Sequence, residues 1–509
     1  MSVYENPNKR IAKNTLALYV RSIIVMLVSL YTSRIVLETL GADDFGIYNV
    51  VGSVVVLFSF IQGAMATAVQ RYLNFELGRD DKNAVSRIFS MSMTVHIMIA
   101  LLVVVLSETV GLWFLHTQMQ IPVERQTATQ WVYQFSVLTC CVNILRIPYN
   151  ASIIAYEKMS FYAYVSVLEV FLKLGVVFLL ILSNGDRLIL YSVLMLIVTI
   201  VVSAAYIVFC RKRFTTCRYS LFWDKRLFKE IFGFSAWSLF GSMANLGASQ
   251  GINVLLNIFC GVAVNAAMGL AQQVNSAVNQ FILNFQTAFV PQLVKLYARN
   301  QRGDFVHLIF RSSKFSYFLI LLIGLPVLVY TRPLLGIWLH NVPEYTVQFT
   351  RLMILFSMID AMSGPLWNSA QAIGKIRNYQ LLMSSIIAMN VPIAYVILKF
   401  GGSPIIVLVI RVAINFVTHS VRIFYLQHLF EFPSLSYIKD IMGRVALVSI
   451  LALPLPSFMV YKMPAPHWWQ LLSLLVTIVL QTAVVIYIFG LSRDERRAVV
   501  NGIRQKTGK

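Results

Sequence analysis

Apolar residues run along this chain in long blocks, not in the alternation of strands or the single stripe of surface helices. The blocks are nearly free of charge and recur from Leu16 to Gly490. A bilayer core demands about 20 such residues for each helical crossing. The pattern predicts about fourteen transmembrane helices, over roughly 14–38, 45–70, 88–115, 127–154, 159–182, 188–210, 227–258, 263–290, 312–339, 346–373, 377–399, 404–426, 437–461 and 467–491. The first block is too long for the apolar core of a cleaved signal and lacks a small-residue cleavage site, so it is expected to stay as the first span.

Composition sharpens this reading. Hydrophobic residues make up 58% of the chain and charged residues 12%, against roughly 25% charged in soluble domains. A chain of 509 residues would otherwise suggest about three soluble domains. No segment between the blocks is long enough to fold alone, which excludes a separate soluble catalytic domain.

The net charge of +21 would suggest nucleic acid as a partner of a soluble protein. Here the cations fill alternate short loops, so the charge is a topology signal. One side carries Lys9, Arg10 and Lys13, then Arg71, Arg79, Lys82 and Arg87, Lys158, the 211–229 connection, Lys295, Arg299, Arg302, Arg311 and Lys314, Lys375 and Arg377, Arg422, Lys439 and Arg444, and the tail from Arg493. The other side carries only Arg125, Arg187, Arg332, Lys399 and Lys462. This split predicts both termini in the cytoplasm and an even number of spans; no nucleic acid partner is expected.

The 211–229 connection divides the chain, with six spans before it and eight after. The run L-G-A-D-D-F-G-I-Y-N-V-V-G-S-V-V-V from Leu40 aligns loosely with C-G-V-A-V-N-A-A-M-G-L-A-Q-Q-V-N-S from Cys260, so that Gly41 meets Gly261. An internal repeat follows as an expectation: a six-helix bundle over 1–213, a second over 214–430, and two further spans with a basic tail over 431–509. Repeats of this kind are related by an axis along the membrane normal.

Enzyme signatures are missing. There is no Walker A loop, G-x-G-x-x-G, H-E-x-x-H or G-x-S-x-G, so no catalytic residue is assigned and ATP hydrolysis by this chain is excluded. The cysteines, Cys140, Cys141, Cys210, Cys217 and Cys260, match no metal spacing and read as small apolar fillers. No cofactor or metal is expected.

The candidate chemistry lies in ionisable groups inside spans, which are costly there and usually face a cavity or a partner. The cations are Arg21, Arg34, Arg146, Lys173, Arg351 and Arg411; the acids are Glu169 and Asp360. Arg21 and Arg351 are close enough to span ends to snorkel. Arg34 can pair with Glu38, and Lys173 with Glu169, at i,i+4. Asp360 has no cation nearby in sequence and could meet one on another helix or titrate. His96 reads as packed core. Cations outnumber acids, which suits an anionic head group such as phosphate.

A second feature is an amide stripe on span 8. Asn265, Gln272, Asn275, Asn279 and Gln286 share one helical face, which lipid would not tolerate. Two readings stand side by side: hydrogen bonding between helices, or a polar wall for a sugar-bearing head group. Prolines such as Pro148, Pro326 and Pro365 permit bends, a weak pointer to helices that rearrange.

The runs E-T-L-G-A-D-D-F-G-I-Y-N-V-V (Glu38–Val51) and A-V-Q-R-Y-L (Ala68–Leu73) resemble the bacterial polysaccharide-transporter, or O-antigen flippase, family. So do N-A-A-M-G-L-A-Q-Q-V-N-S-A-V-N-Q-F (Asn265–Phe281) and N-F-Q-T-A-F-V-P-Q-L (Asn284–Leu293). That family belongs with the multidrug and toxin extruders and the lipid II flippases. The resemblance implies an all-α membrane protein of two six-helix bundles around a cavity that opens alternately to either side. It implies a polyprenyl-pyrophosphate-linked oligosaccharide as substrate, flipped to the outer leaflet of the bacterial inner membrane for surface polysaccharide synthesis. Related flippases use cavity arginines for the pyrophosphate, and Arg21, Arg34, Arg146 and Arg411 are of that type here; the residue reading adds Lys173 on the anionic head group, Asn265, Gln272, Asn275 and Asn279 on sugars, and Asp360 or Glu169 coupling an ion. Expected partners are the lipid-linked oligosaccharide, membrane lipids, a polysaccharide polymerase and glycosyltransferases, with the protein itself a monomer.

Other readings remain open at this point. A cation-coupled multidrug exporter of the same fold would favour acids over bases in its cavity. A lipid-linked glycan polymerase or ligase would carry a large outer loop, which is missing here. A non-transporting scaffold is a further alternative.

Overall fold

The computed structural model describes residues 7–56, 59–117, 122–183, 185–339, 342–464 and 467–497. Regular structure among them is entirely helical, as a chain with no solvent for its backbone requires. The first half contains α1 (Pro7–Val56), α2 (Ser59–Gly78), α3 (Lys82–Leu106), α4 (Leu112–Thr117), α5 (Gln126–Ala155), α6 (Met159–Ile181) and α7 (Arg187–Arg213). There follow α8 (Lys225–Cys260), α9 (Val262–Ala298), α10 (Arg302–Val329), α11 (Thr331–Leu339), α12 (Thr346–Ile373), α13 (Arg377–Ala388), α14 (Asn390–Lys399) and α15 (Pro404–Phe430). The chain closes with α16 (Ser434–Tyr437), α17 (Gly443–Ala452), α18 (Pro454–Lys462) and α19 (Trp468–Val485).

Ten helical stretches among the described residues are long and apolar enough to cross a membrane by themselves. The other expected spans fall on the second part of α1 with α2, and on α8, α9 and α12. Their apolar character is diluted by amides, serines and glycines. This is an all-α, multi-pass membrane protein.

The internal repeat is written in the backbone. α1 is two helices joined at Gly41, which has φ 81° and ψ 168°. Gly261, 220 residues later, separates α8 from α9 with φ 84°. Only glycine adopts such angles without strain. Asp80, between α2 and α3, and Asn300, between α9 and α10, stand the same distance apart and are both left-handed, with φ 59° and 57°. The helix starts of α3 and α10, and of α5 and α12, keep that spacing.

The chain forms two compact units. Unit 1 contains residues 1–242, 288–301 and 372–377; unit 2 contains 243–287, 302–371 and 378–509. In unit 1, α5 packs along α7, α3 and α2, and α6 along α1. Phe89, Tyr149, Val177 and Val202 are buried among them. At one end, Arg125 binds Asp44 of α1 and donates to Asp186 Oδ2 at 2.8 Å. Asp186 is itself the N-cap of α7, so one guanidinium fixes the starts of three segments.

At the other end of unit 1, segments from both repeats interlock. Lys295 of α9 donates to the Ala155 carbonyl at the end of α5 (2.8 Å) and to Glu157 just beyond it (2.5 Å). Gln292 donates to the other Glu157 oxygen at 2.7 Å. Arg71 of α2 donates to the Ala372 and Ile373 carbonyls at the end of α12 (3.3 and 3.2 Å). α2 corresponds to α9 in the repeat and α5 to α12, so the two caps are reciprocal. A cation beside the free carbonyls of a helix C-terminus is favourable. α2 and α9 approach so closely that a Cβ on Gly78 would lie 2.8 Å from Ala298 Cβ. Arg299 Nε donates to the Gly78 carbonyl there at 2.9 Å.

In unit 2 the C-terminal spans dock on α10. Tyr317 and Ser449 share a hydrogen bond of 2.8 Å, and Lys314 donates to Glu495 at 2.6 Å. Ser492 and Glu495 form a reciprocal cap on the last helical turn: the Ser492 amide donates to the carboxylate (2.7 Å) and the Glu495 amide to the hydroxyl (3.3 Å).

Candidate functional site

Two polar centres occur inside the helical body, one in each unit. In unit 1, Glu169 and Lys173 stand one turn apart on α6 and pair at 2.7 Å, as the i,i+4 spacing predicts. Arg146 from α5 approaches the second Glu169 oxygen at 3.8 Å. Its guanidinium also lies 5.5 Å from the ring centre of Tyr206 on α7. Arg21 from α1 lies 4.7 Å over the ring of Tyr162 on α6, electrostatically close to the same Tyr206. Two cations thus meet one carboxylate, and a third stands over Tyr162 on the same helix. Arg21 Nε is buried without a hydrogen-bond partner, and the side chains of Arg146, Glu169 and Lys173 are partly open, at 23%, 27% and 35%. The side chain of Arg34 lies outside the described residues.

The second centre is a cavity of about 250 Å³ within unit 2. α15 lines it with Arg411, Asn415, Thr418 and Arg422, spaced i, i+4, i+7 and i+11, so that one face of the helix is polar. α12 contributes Asp360, Ser363 and Trp367, and α13 contributes Gln380 and Ser384. Several groups are fixed by their neighbours. Ser363 bonds His419 Nδ1 at 2.7 Å, Asn415 donates to the Phe356 carbonyl at 3.0 Å, and the Arg411 guanidinium lies 4.9 Å from the Phe356 ring centre. Asp360 lines the same cavity as Arg411 and Arg422 of another helix. Among the described residues no ion pair joins it directly to Arg411 or Arg422.

Arg422 corrects the sequence reading. The charge count places it with the loop cations although it lies inside the 404–426 span, one turn from its end; α15 continues to Phe430 and Arg422 is only 7% exposed. A helical-face count over α15 would have found it. Trp367, Gln380 and Asn415 carry no such signal, since one aromatic or amide per turn is common in membrane helices.

Three amides of the stripe bond across to α12. Ser357 of α12 donates to Asn275 Oδ1 at 2.7 Å and accepts from Asn279 Nδ2 at 2.8 Å. Gln286 reaches the Ala361 carbonyl at 3.4 Å. Asn265, Gln272, Asn275 and Asn279 do not line the cavity; its amides are Asn245, Gln286, Gln380, Asn390 and Asn415. His96 is buried, with Nδ1 2.6 Å from the Ser92 carbonyl. Arg351 is exposed and donates to the Leu328 carbonyl at 3.1 Å.

A family model described as polysaccharide biosynthesis protein matches residues 11–297. No curated protein matches the chain. Among solved structures, a point mutant of a MATE transporter aligns with TM-score 0.73 and 13% identity, covering 83% of this chain and 95% of that one. An outward-facing multidrug resistance MATE family transporter of the MOP superfamily aligns with TM-score 0.72 and 14% identity, over 83% and 95%. A MOP superfamily transporter from Pyrococcus furiosus, described as having a binding pocket of reverse polarity that suggests a different function, aligns with TM-score 0.69 and 15% identity, over 85% and 97%.

Proposed function

This chain belongs to the polysaccharide biosynthesis protein family, and from that premise we propose that it is a flippase for a polyprenyl-pyrophosphate-linked oligosaccharide. The repeat unit is carried from the cytoplasmic to the outer leaflet of the inner membrane, with both termini in the cytoplasm. The coarser statement, a membrane transporter of MATE-like fold, rests on the family and the shared architecture. The observation that carries the finer one is the sign of both polar centres. Arg146 and Lys173 pair with the single acid Glu169 while Arg21 stands over Tyr162 of the same helix, and Arg411 and Arg422 share a cavity with Asp360. Guanidinium groups in a low-dielectric site bind phosphate oxygens by paired, charge-assisted hydrogen bonds. A cationic drug would require the opposite balance.

In this reading the bundles of 1–213 and 214–430 move to expose the sites to alternate sides, with 431–509 as an attached pair of spans. Arg21, Arg34, Arg146 and Lys173 hold the pyrophosphate, and Arg411 meets an anionic part of the cargo. Sugars contact the cavity amides, and Glu169 or Asp360 couples an ion. The lipid tail stays in the bilayer. Polymerase and glycosyltransferases are the partners that supply and consume the cargo.

The test is transport in proteoliposomes of a defined polyprenyl-pyrophosphate disaccharide, read by access of an external glycosidase. R146A/R411A should abolish transport while the protein still inserts. Normal transport by that double variant, or export of a cationic dye by the wild type with no glycan flipping, overturns the flippase reading.

A further inference from the structure

The unit 2 cavity has a chemistry that pyrophosphate binding in unit 1 does not use. Arg411 and Arg422 are eleven residues apart on one face of α15, so their Cα atoms are separated by about 16 Å along the helix axis. The cavity is therefore a slot lined along α15 by Arg411 and Arg422 toward the two ends of one helical face, with Asn415 and Thr418 between them. Asp360 and Trp367 stand on the facing helix α12, and Gln380 on α13.

Three donors of the slot lack acceptors, although the Asp360 carboxylate also lines it. Arg411 Nη1, Arg422 Nε and Gln380 Nε2 are buried and have no hydrogen-bond partner in the protein. Asn390 Oδ1 is the one buried acceptor in the same condition among the lining residues. Arg422 and Gln380 are 7% and 1% exposed, so neither reaches bulk water. Buried donors without acceptors are costly, and more so when charged. A neutral sugar would offer hydroxyls that donate as well as accept. An oxyanion offers acceptors alone, and it balances the second arginine that Asp360 leaves uncompensated. Trp367 adds an apolar face with the area to cover one face of a sugar ring.

We propose that this slot is a subsite for an acidic sugar: Arg422 and Gln380 hold a carboxylate carried on a pyranose ring, Trp367 covers the ring, and Arg411 seats a second oxyanion at the far end. The proposal rests on the flippase reading, and it predicts that the cargo's repeat unit is acidic. The same chemistry could come from the pyrophosphate, so the probes must separate the two sources.

The full chain in lipid nanodiscs is titrated with three labelled probes. These are polyprenyl pyrophosphate bearing a glucosyl-glucuronate disaccharide, the same lipid bearing a glucosyl-glucose disaccharide, and the glycan-free lipid. The wild type should prefer the acidic probe over the neutral one by about 10- to 100-fold, the factor a charged hydrogen bond supplies. R422Q should erase that preference while changing binding of the other two probes by no more than about threefold. R422K should restore part of it, which separates lost charge from misfolding, and R411Q supplies an independent variant at the other end. Equal weakening of all three probes by R422Q would overturn the proposal in favour of pyrophosphate. A wild type that binds the lipids without acid preference would also overturn it, leaving the flippase reading intact. A wild type that binds none of the three overturns both.

Discussion

Glu157 and Lys295 offer the sharpest test of how unit 1 is held together. The Glu157 side chain is 3% exposed, and its oxygens take bonds from Lys295 at 2.5 Å and Gln292 at 2.7 Å. Lys295 is 16% exposed and also donates to the Ala155 carbonyl. E157Q keeps the shape but leaves a buried ammonium beside a neutral amide. Removing one member of a buried pair costs about 3–5 kcal/mol. Since Lys295 keeps the carbonyl and some water, about 3 kcal/mol is expected for E157Q, and a similar loss for K295M. The double variant E157Q/K295M removes both charges together and should return to within about 1 kcal/mol of wild type, because buried pairs contribute little net stability over uncharged packing. The assay is equilibrium unfolding in detergent micelles followed by tryptophan fluorescence, read as a double-mutant cycle. Single variants within about 0.5 kcal/mol of wild type, or losses that simply add in the double variant, would refute the reasoning.

Other expectations follow from the same geometry. Burial opposes ionisation of Glu495, but the bonds from Lys314 and the Ser492 amide outweigh it and hold the carboxyl below its ordinary range. Its stabilising effect should be complete above the unfolded-state pKa and fade as pH falls through the folded one, so the stability gap between wild type and E495Q should close on acidification in pH-resolved melting curves. G41A and G261A should each lose about 1–3 kcal/mol, since both positions have positive φ and the space around them is open, leaving backbone strain as the cause; equal melting temperatures would contradict this. S357A should loosen α9 from α12 by stranding Asn275 and Asn279, visible as faster amide exchange in both helices and about 1–3 kcal/mol of lost stability. A cysteine placed at Asp80 in a cysteine-free chain should react with an impermeant maleimide only after permeabilisation, and one at Gly185 before it; the reverse pattern would invert the topology.

Much of this protein is determined by the order of its residues alone. Blocks of about 20 apolar residues must become helices in a bilayer, because no other open structure satisfies its own backbone there. Glycine at 41 and 261 marks the repeat, because only that residue turns the chain at positive φ without strain. The Glu169–Lys173 pair is local, set by one helical turn, and so was readable from spacing. The partners across helices were not. Arg146 reaches Glu169, Arg21 reaches Tyr162, and Arg411 with Arg422 faces Asp360 only through the packing of separate helices. Arg422 was concealed by its place one turn from the end of its span, where the charge count took it for a loop cation, and the amides of α9 were ambiguous because a polar stripe fits a packed helix and a binding wall equally well. Tertiary structure shows what two of these amides meet, by placing Ser357 opposite Asn275 and Asn279. Periodicity fixes which face of a helix is polar; only packing fixes what that face meets.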